Sequence, residues 1–412
     1  GIVLATDKLN HIKSIVHGEH GGFAVVEPGV ILAGLQRAVD QQGLLYPPDP
    51  TERGCFVGGT VATNASGART FKYGPTRNYI RRLKVVLASG ELIDLRRGEV
   101  HAHNRTLLLD KSIKLTLPDY RMPATRKNAS GYFIAPDMDA IDLFIGSEGT
   151  LGVICEIEVR LLPKPEGLLS GVVFFTDEAD VLALVADARS HGDARAIEFF
   201  DYESLNFLRE KYPNIPSEAV GAIFFEQETS EATEETVLNE WMALLDEHHA
   251  LSDSWFATNE QDQAKLREFR HQLPVLMNEW FAHYKQRKVS TDMAVPDDAF
   301  PGLFRLYKDT LRSSGLRYTV FGHIGDNHVH VNILPRDDAE GARARELYVQ
   351  FLKYAASVGG TLSAEHGVGK LKRDYLRFFY TDDQLRAMAS VKKALDPNGI
   401  LGRGNILPEE LL

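Results

Sequence analysis

The sequence predicts an α+β protein of two or three domains, and three observations carry that reading. At 412 residues the chain exceeds the length over which one hydrophobic core usually keeps growing. Residues 1–165 are rich in glycine and short β-type runs. Beyond Pro163-Lys164-Pro165, a boundary signal, strands and helices alternate without strict strand–helix–strand repetition, which points to an antiparallel sheet.

In the first part, Ile2–Leu4, Ala24–Val26, Leu83–Leu87, Leu92–Leu95, Leu143–Ile145 and Val153–Arg160 read as strands. One amphipathic helix, near Val30–Gln42, puts Leu32, Leu35, Ala38 and Val39 on one side. Residues 99–133 read as a long irregular surface excursion. In the second part, Gly171–Phe175, Ala196–Phe200 and Ala219–Gln227 are expected strands. Helices are expected at 178–190, 231–248 and 263–281, after Pro301, and at 343–356, where Leu347, Tyr348, Phe351, Leu352 and Ala355 form one stripe.

A composition of 44% hydrophobic and 25% charged residues is that of an ordinary globular protein. The net charge of −11, without any basic stretch, argues against nucleic acid or an anionic membrane as the main partner. Two cysteines, Cys55 and Cys155, build no disulfide framework and fit a reducing compartment. No apolar run is long enough to span a bilayer. The opening GIVLATDKLNHI has neither Met nor signal-peptide character and reads as a start partway through a domain.

FGHIGDNHVHVNIL, residues 321–334, concentrates three of the 14 histidines in eight positions. Tyr318–Phe321 and Val329–Ile333 read as strands joined at Gly-Asp-Asn. With Asp326 and Asn327 in the turn, cross-strand pairs sum to 653 and His323 faces His330. Opposed residues have Cβ atoms about 4.5–5.5 Å apart, within reach of one metal. Alternation groups His328, His330 and Asn332 on one face, with His328 filling an edge position. A third ligand is needed, and GGTLSAEHGVGK, residues 359–370, supplies a candidate carboxylate and base in Glu365-His366. The alternative is a solvated turn, with Glu365-His366 as helix caps. Two glycine-rich stretches, residues 54–78 and 145–154, expose backbone N–H groups and small hydroxyls suited to a pyrophosphate or a flavin edge. They read equally as tight structural turns.

YPPDPT (46–51), GGTVATNASGARTFKYG (58–74), IGSEGTLGVI (145–154), GHIGDNHVHVN (322–332), SAEHGVGKLKRDYL (363–376) and LDPNGILGRGNIL (395–407) together resemble the FAD-dependent flavoproteins of the vanillyl-alcohol-oxidase type. The branch is that of D-lactate, glycolate and D-2-hydroxyglutarate dehydrogenases, and the motifs run nearly end to end. The resemblance implies an FAD-binding α+β domain (1–165) whose N-terminal pyrophosphate subdomain precedes this chain. An α+β substrate domain with an antiparallel sheet (166–375) and a C-terminal segment (376–412) returning to the FAD domain follow.

Carried over by position, the resemblance makes His323, His330 and Glu365 ligands of a divalent ion, zinc or manganese. Asn332 orients substrate, His366 is the base, and Arg270 of FRHQLP (269–274) clamps the substrate carboxylate, a task that suits a planar guanidinium. FAD lies against Pro47, Asp49, Gly58, Gly59, Thr63, Asn64, Gly67, Tyr73, Gly74, Glu148, Gly149, Gly152, Ile154 and Asn405. Ser290 stands where 2-hydroxyglutarate enzymes carry a lysine.

The implied activity is FAD-dependent, metal-assisted oxidation of a small D-2-hydroxy acid. Hydride goes to flavin N5, and electrons leave to a quinone, a cytochrome or an electron-transfer flavoprotein. The implied setting is cytoplasmic, with peripheral attachment to the inner membrane and a homodimer both admitted. The alternatives are a non-catalytic subunit of the same fold and a related flavoenzyme of ether-lipid synthesis.

Overall fold

The computed structural model describes residues 1–109, 113–191, 193–257 and 259–412. The chain divides into two compact units, residues 1–67, 74–164 and 359–412 in the first and residues 68–73 and 165–358 in the second. Tyr73 thus belongs to the second unit, and Glu365 and His366 to the first.

The first unit holds β1 (Ile12–Gly18), β2 (Gly21–Val26), β3 (Leu44–Leu45), β4 (Ile80–Val86), β5 (Leu92–Arg96), β6 (Thr106–Leu109), β7 (Ile113–Thr116) and β8 (Val153–Pro163). Its main sheet runs β1-β2-β8-β4-β5, with β3 also on β8, and every pairing is antiparallel. Alternation explains the packing: Ile93 and Leu95 of β5 are buried while Leu92, Asp94 and Arg96 are exposed. The expected helix forms at Leu32–Asp40, burying Leu32, Leu35 and Val39.

Three expectations change here. Ile2–Leu4 forms no strand, and its side chains are exposed; a β-type run becomes a strand only with a partner to close its ladder. Leu143–Ile145 is not a strand either, because Ile141–Phe144 closes a helical turn. Residues 99–133 are not a surface excursion. β6 and β7 form a hairpin there, residues 110–112 lie outside the described residues, and Leu107, Leu109, Leu115 and Tyr120 are buried. Leu107 and Leu109 of TLLL and Leu115 of IKLT supply an inward face that the neighbouring prolines and charges obscure in the sequence.

The second unit is organised by β9 (Gly167–Phe175), β10 (Ala194–Asp201), β11 (Gly221–Thr229), β12 (Trp255–Ala257), β13 (Val289–Ser290), β14 (Tyr318–Gly322) and β15 (His330–Ile333). They form one sheet, ordered β12-β9-β11-β10-β14-β15-β13, antiparallel throughout. Helices cover both faces. On one, Phe200 and Phe224 pack with Phe269, Leu273 and Met277 of the helix Glu260–Tyr284. On the other, Phe225 stacks on Trp241 at 3.7 Å between ring centroids, and Phe199 meets Phe304 edge-on. Each fully buried Phe contributes about 1.5–3 kcal/mol. All eight residues of β10 are buried, so the charged Glu198 sits in a strand that is otherwise largely apolar.

Candidate functional site: a histidine cluster and a glycine-lined cradle

The hairpin β14–β15 carries the histidines in the second unit, in a register that differs from the expected one. Pairs are Phe321↔His330, Val320↔Val331 and Thr319↔Asn332, which sum to 651 rather than 653. His330 therefore faces Phe321, not His323. The turn takes four residues instead of two. A short 3₁₀ segment spans Ile324–Asp326, Asn327 adopts a left-handed φ of 53°, and His328 N–H donates to the His323 carbonyl at 3.1 Å. A slip of two residues keeps every side chain on its face, so the face assignment survives. Gly322 has φ +131°, and a Cβ there would meet the His330 ring at 3.0 Å, which makes glycine necessary beside that imidazole.

His323, His328 and His330 are 3%, 0% and 9% exposed, and ring nitrogens of all three lie within 4.8 Å of one another. His328 is thus within the cluster rather than merely beside it. Each flanking ring is held from behind. His330 Nδ1 lies 2.9 Å from the Thr291 carbonyl, which only accepts, so Nδ1 carries the proton and Nε2 the lone pair. His323 Nδ1 donates to Glu198 Oε1 at 2.5 Å. His328 Nε2 is 3.4 Å from Asp292 Oδ1. Imidazoles whose far nitrogen is fixed by a carbonyl or a carboxylate are the usual arrangement of metal-binding histidines, so the donor set fits a divalent ion.

Arg270 is on the helix Glu260–Tyr284, four residues before Pro274, whose missing N–H leaves the Arg270 carbonyl without its helical bond. Its Nε and Nη2 donate to Glu198 Oε2 at 3.0 and 2.9 Å. Asn332 is 0% exposed. Its Oδ1 has no hydrogen-bond partner among the described residues, an acceptor a ligand would satisfy.

The first unit gathers the glycine-rich stretches. Gly146 and Glu148 N–H groups donate to the Val61 and Ala62 carbonyls at 3.0 and 2.8 Å, laying residues 146–148 against the end of the short helix Val57–Ala62 that contains Gly58 and Gly59. Thr63 Oγ1 donates to the Gly59 carbonyl at 3.0 Å. Asn64 Oδ1 accepts from Arg77 N–H at 3.0 Å. Glu148 accepts from Val368 and Gly369 N–H at 2.6 and 2.7 Å. Burial pushes its carboxyl up, against those two bonds, which lower it. Asn405 Nδ2 reaches the Glu148 carbonyl at 3.5 Å.

The backbone at Asp49 approaches Gly67, where a Cβ would sit 2.0 Å from the Asp49 carbonyl oxygen. Gly74 and Gly149 take positive φ, Gly152 leads into β8 against Val85, and Ile154 within β8 pairs with Val85. A cavity of about 160 Å³ opens among Asn64, Arg77, Asn128, Gly131, Phe133 and Gly146. Close backbone approach and edge-on polar groups fit a flat, polar-rimmed cofactor. Tyr73 belongs to the second unit, where its hydroxyl donates to Glu228.

Glu365 is in the first unit, 8% exposed, and His366 beside it is exposed. Glu365 Oε1 accepts from Lys127 Nζ at 2.7 Å and from Ser66 Oγ at 3.1 Å. Neither Lys127 nor Glu198 is apparent as a site residue in the sequence. A signal for Glu198 exists, a carboxylate inside the apolar run AIEFF; for Lys127, among mixed charges, there is none.

Residues 164–406 match the C-terminal domain of FAD linked oxidases, and residues 1–96 match an FAD binding domain. The chain belongs to the FAD-linked oxidase family of enzymes, with a fold of the vanillyl-alcohol-oxidase type and FAD as the cofactor its domains support. It is 30% identical to glycolate oxidase subunit GlcD of Bacillus subtilis, over 100% of this chain and 80% of that protein. It is 29% identical to the D-lactate dehydrogenase of Anaerostipes hadrus, over 98% of this chain and 80% of that one. The D-2-hydroxyglutarate dehydrogenase of Stutzerimonas stutzeri is likewise 29% identical, with 98% and 81% covered. A solved alkyldihydroxyacetonephosphate synthase superposes with a TM-score of 0.65 at 17% identity, covering 96% of this chain; the chain spans 66% of that structure. No helix among the described residues is long and apolar enough to cross a membrane.

Proposed function

We propose that the chain oxidises a small D-2-hydroxy acid, of the D-lactate or D-2-hydroxyglutarate kind, to the 2-oxo acid, using FAD and a divalent ion such as zinc or manganese. The observation that carries this is the cluster of three buried imidazoles within 4.8 Å of one another in a chain of the FAD-linked oxidase family. Relatives named for D-lactate and D-2-hydroxyglutarate oxidation support the substrate class.

His323, His330 and Glu365 would hold the ion, with His328 in reach of the same point. Pro47, Asp49, Gly58, Gly59, Thr63, Asn64, Gly67, Tyr73, Gly74, Glu148, Gly149, Gly152, Ile154 and Asn405 would hold the flavin. When bound, the flavin supplies a two-electron oxidant and the ion supplies Lewis acidity. Arg270 binds the substrate carboxylate through a guanidinium already oriented by Glu198. Asn332 Oδ1 accepts from the substrate, satisfying its buried lone pairs. His366 takes the hydroxyl proton at oxygen; its exposure lets that proton pass to water. A quinone, a cytochrome or an electron-transfer flavoprotein would take the two electrons. The domains of the proposed enzyme are an FAD-binding part in 1–165, a substrate part in 166–375 and a C-terminal return in 376–412.

The test is to replace His330 and Glu365 singly with Ala and measure metal content and dye-linked oxidation of D-2-hydroxy acids on flavin-loaded protein. Loss of both in each variant is expected. Activity and metal retained together would refute the proposal.

A further inference from the structure

We propose that Glu198 is a positioning residue that sets His323 and Arg270 with a single carboxylate, so that ion affinity and substrate-carboxylate affinity depend on one side chain. The inference rests on the reading of the histidine cluster as an ion site, and deepens it.

The placement follows from the sheet. β10 pairs with β14 as Phe199↔Gly322 and Phe200↔Phe321; continued by one step, that register sets Glu198 opposite His323. Facing side chains in an antiparallel pair are close enough to bond. Glu198 Oε1 accepts from His323 Nδ1 at 2.5 Å, while Oε2 accepts from Arg270 Nε and Nη2 at 3.0 and 2.9 Å. The Glu198, His323 and Arg270 side chains are 2%, 4% and 11% exposed. Both oxygens of the carboxylate are thus committed, one to each functional group.

A merely structural ion pair would need only the arginine. A carboxylate in the middle of a seven-stranded sheet is costly to desolvate, and an apolar residue there would serve stability as well or better. Here its second oxygen goes to an imidazole of the histidine cluster. That bond fixes the His323 tautomer with Nε2 as the ligand atom and raises its basicity. The same carboxylate holds the guanidinium plane through two N–H groups, which sets its direction.

Glu198→Gln retains size but offers one acceptor and one donor where two acceptors are needed. If the amide oxygen serves His323, the amide N–H faces Arg270; turned over, it faces His323. Zn²⁺ affinity, measured on the full chain by competition with a chromophoric chelator, should weaken about 10–100-fold. The affinity for a 2-oxo acid should fall as well, and thermal unfolding should confirm that the variant is folded. Glu198→Asp keeps the charge on a shorter stem and should fall between the two in Zn²⁺ affinity; it serves as the test should the amide variant not fold.

His330→Ala separates the two layers of the argument. If it loses Zn²⁺ while both Glu198 variants bind within twofold of the parent, the positioning role is overturned and the ion site stands. If it binds Zn²⁺ like the parent, the ion site and this inference fall together.

Discussion

Lys127 Nζ lies 2.7 Å from Glu365 Oε1 and also donates to the Gly67 carbonyl at 2.9 Å. The lysine side chain is fully buried. One ammonium therefore ties the carboxylate proposed as an ion ligand to the backbone of the cofactor cradle, across 238 positions of sequence. Removing the cation strands a buried carboxylate, which typically costs about 3–5 kcal/mol. Lys127→Met should lower the unfolding midpoint in denaturant accordingly, and Glu365→Gln in the same chain should restore much of it. A midpoint shared with the parent would show that the pair contributes nothing.

Asn332 gives the opposite sign for stability and function. Its buried Oδ1 lacks a partner among the described residues, a condition that costs about 1–3 kcal/mol. Asn332→Leu should unfold at the parent's temperature or above it while kcat/KM for the hydroxy acid falls at least about tenfold, the loss of one substrate-binding hydrogen bond being worth more than about 1.4 kcal/mol. A clear drop in unfolding temperature with activity intact would contradict the role assigned to it.

Gly67 tests the cradle. A methyl group there would press on the Asp49 carbonyl and the backbone at Pro50, and backbone yields less readily than side-chain tips. Gly67→Ala should reduce the flavin retained per chain, read from the visible absorbance, and lower stability by about 1–3 kcal/mol. Full flavin occupancy in the variant would remove Gly67 from the set of close contacts.

Asp142 predicts the acid limb of stability. Its carboxylate takes bonds from Arg77 at 2.8 Å and from Arg97 at 3.0 Å. Burial alone would raise its pKa, but the Arg97 bond and the two arginine charges outweigh burial and hold it below the ordinary 3.8. A carboxylate lowered on folding stabilises fully above its unfolded value, and that stabilisation is lost as pH falls through the lower folded value. Arg77 also donates to the Ile145 carbonyl at 2.6 Å, so the loss reaches the cradle. Asp142→Asn should cost about 3 kcal/mol at neutral pH and flatten the decline below pH 4. An unchanged acid limb in urea titrations would reject this account.

Much of the site was legible because its signals are local. The alternation in Val329–Ile333 survives any even shift of register, which is why His330 and Asn332 share a face even though the turn is two residues longer than expected. Gly67 and Gly322 are read from sequence only as glycines; which atoms press on them is settled by chain segments far away. Residues 99–133 misled because prolines and charges hide the two-residue period of the buried leucines.

By itself the sequence determined the α+β class, the main strands and helices between residues 171 and 356 though not Tyr202–Arg209, Trp255–Ala257 or Val289–Ser290, and the motifs that place the chain among FAD-linked oxidases. Those follow from hydrophobic period, turn chemistry and glycine content, which act between near neighbours. Only the tertiary structure decided that Glu198 lies across from His323, that Lys127 meets Glu365, and that all three imidazoles converge. Each depends on which strand pairs with which and on the length of a turn. Those choices are made by the summed packing of the whole sheet and leave no periodic trace in the chain.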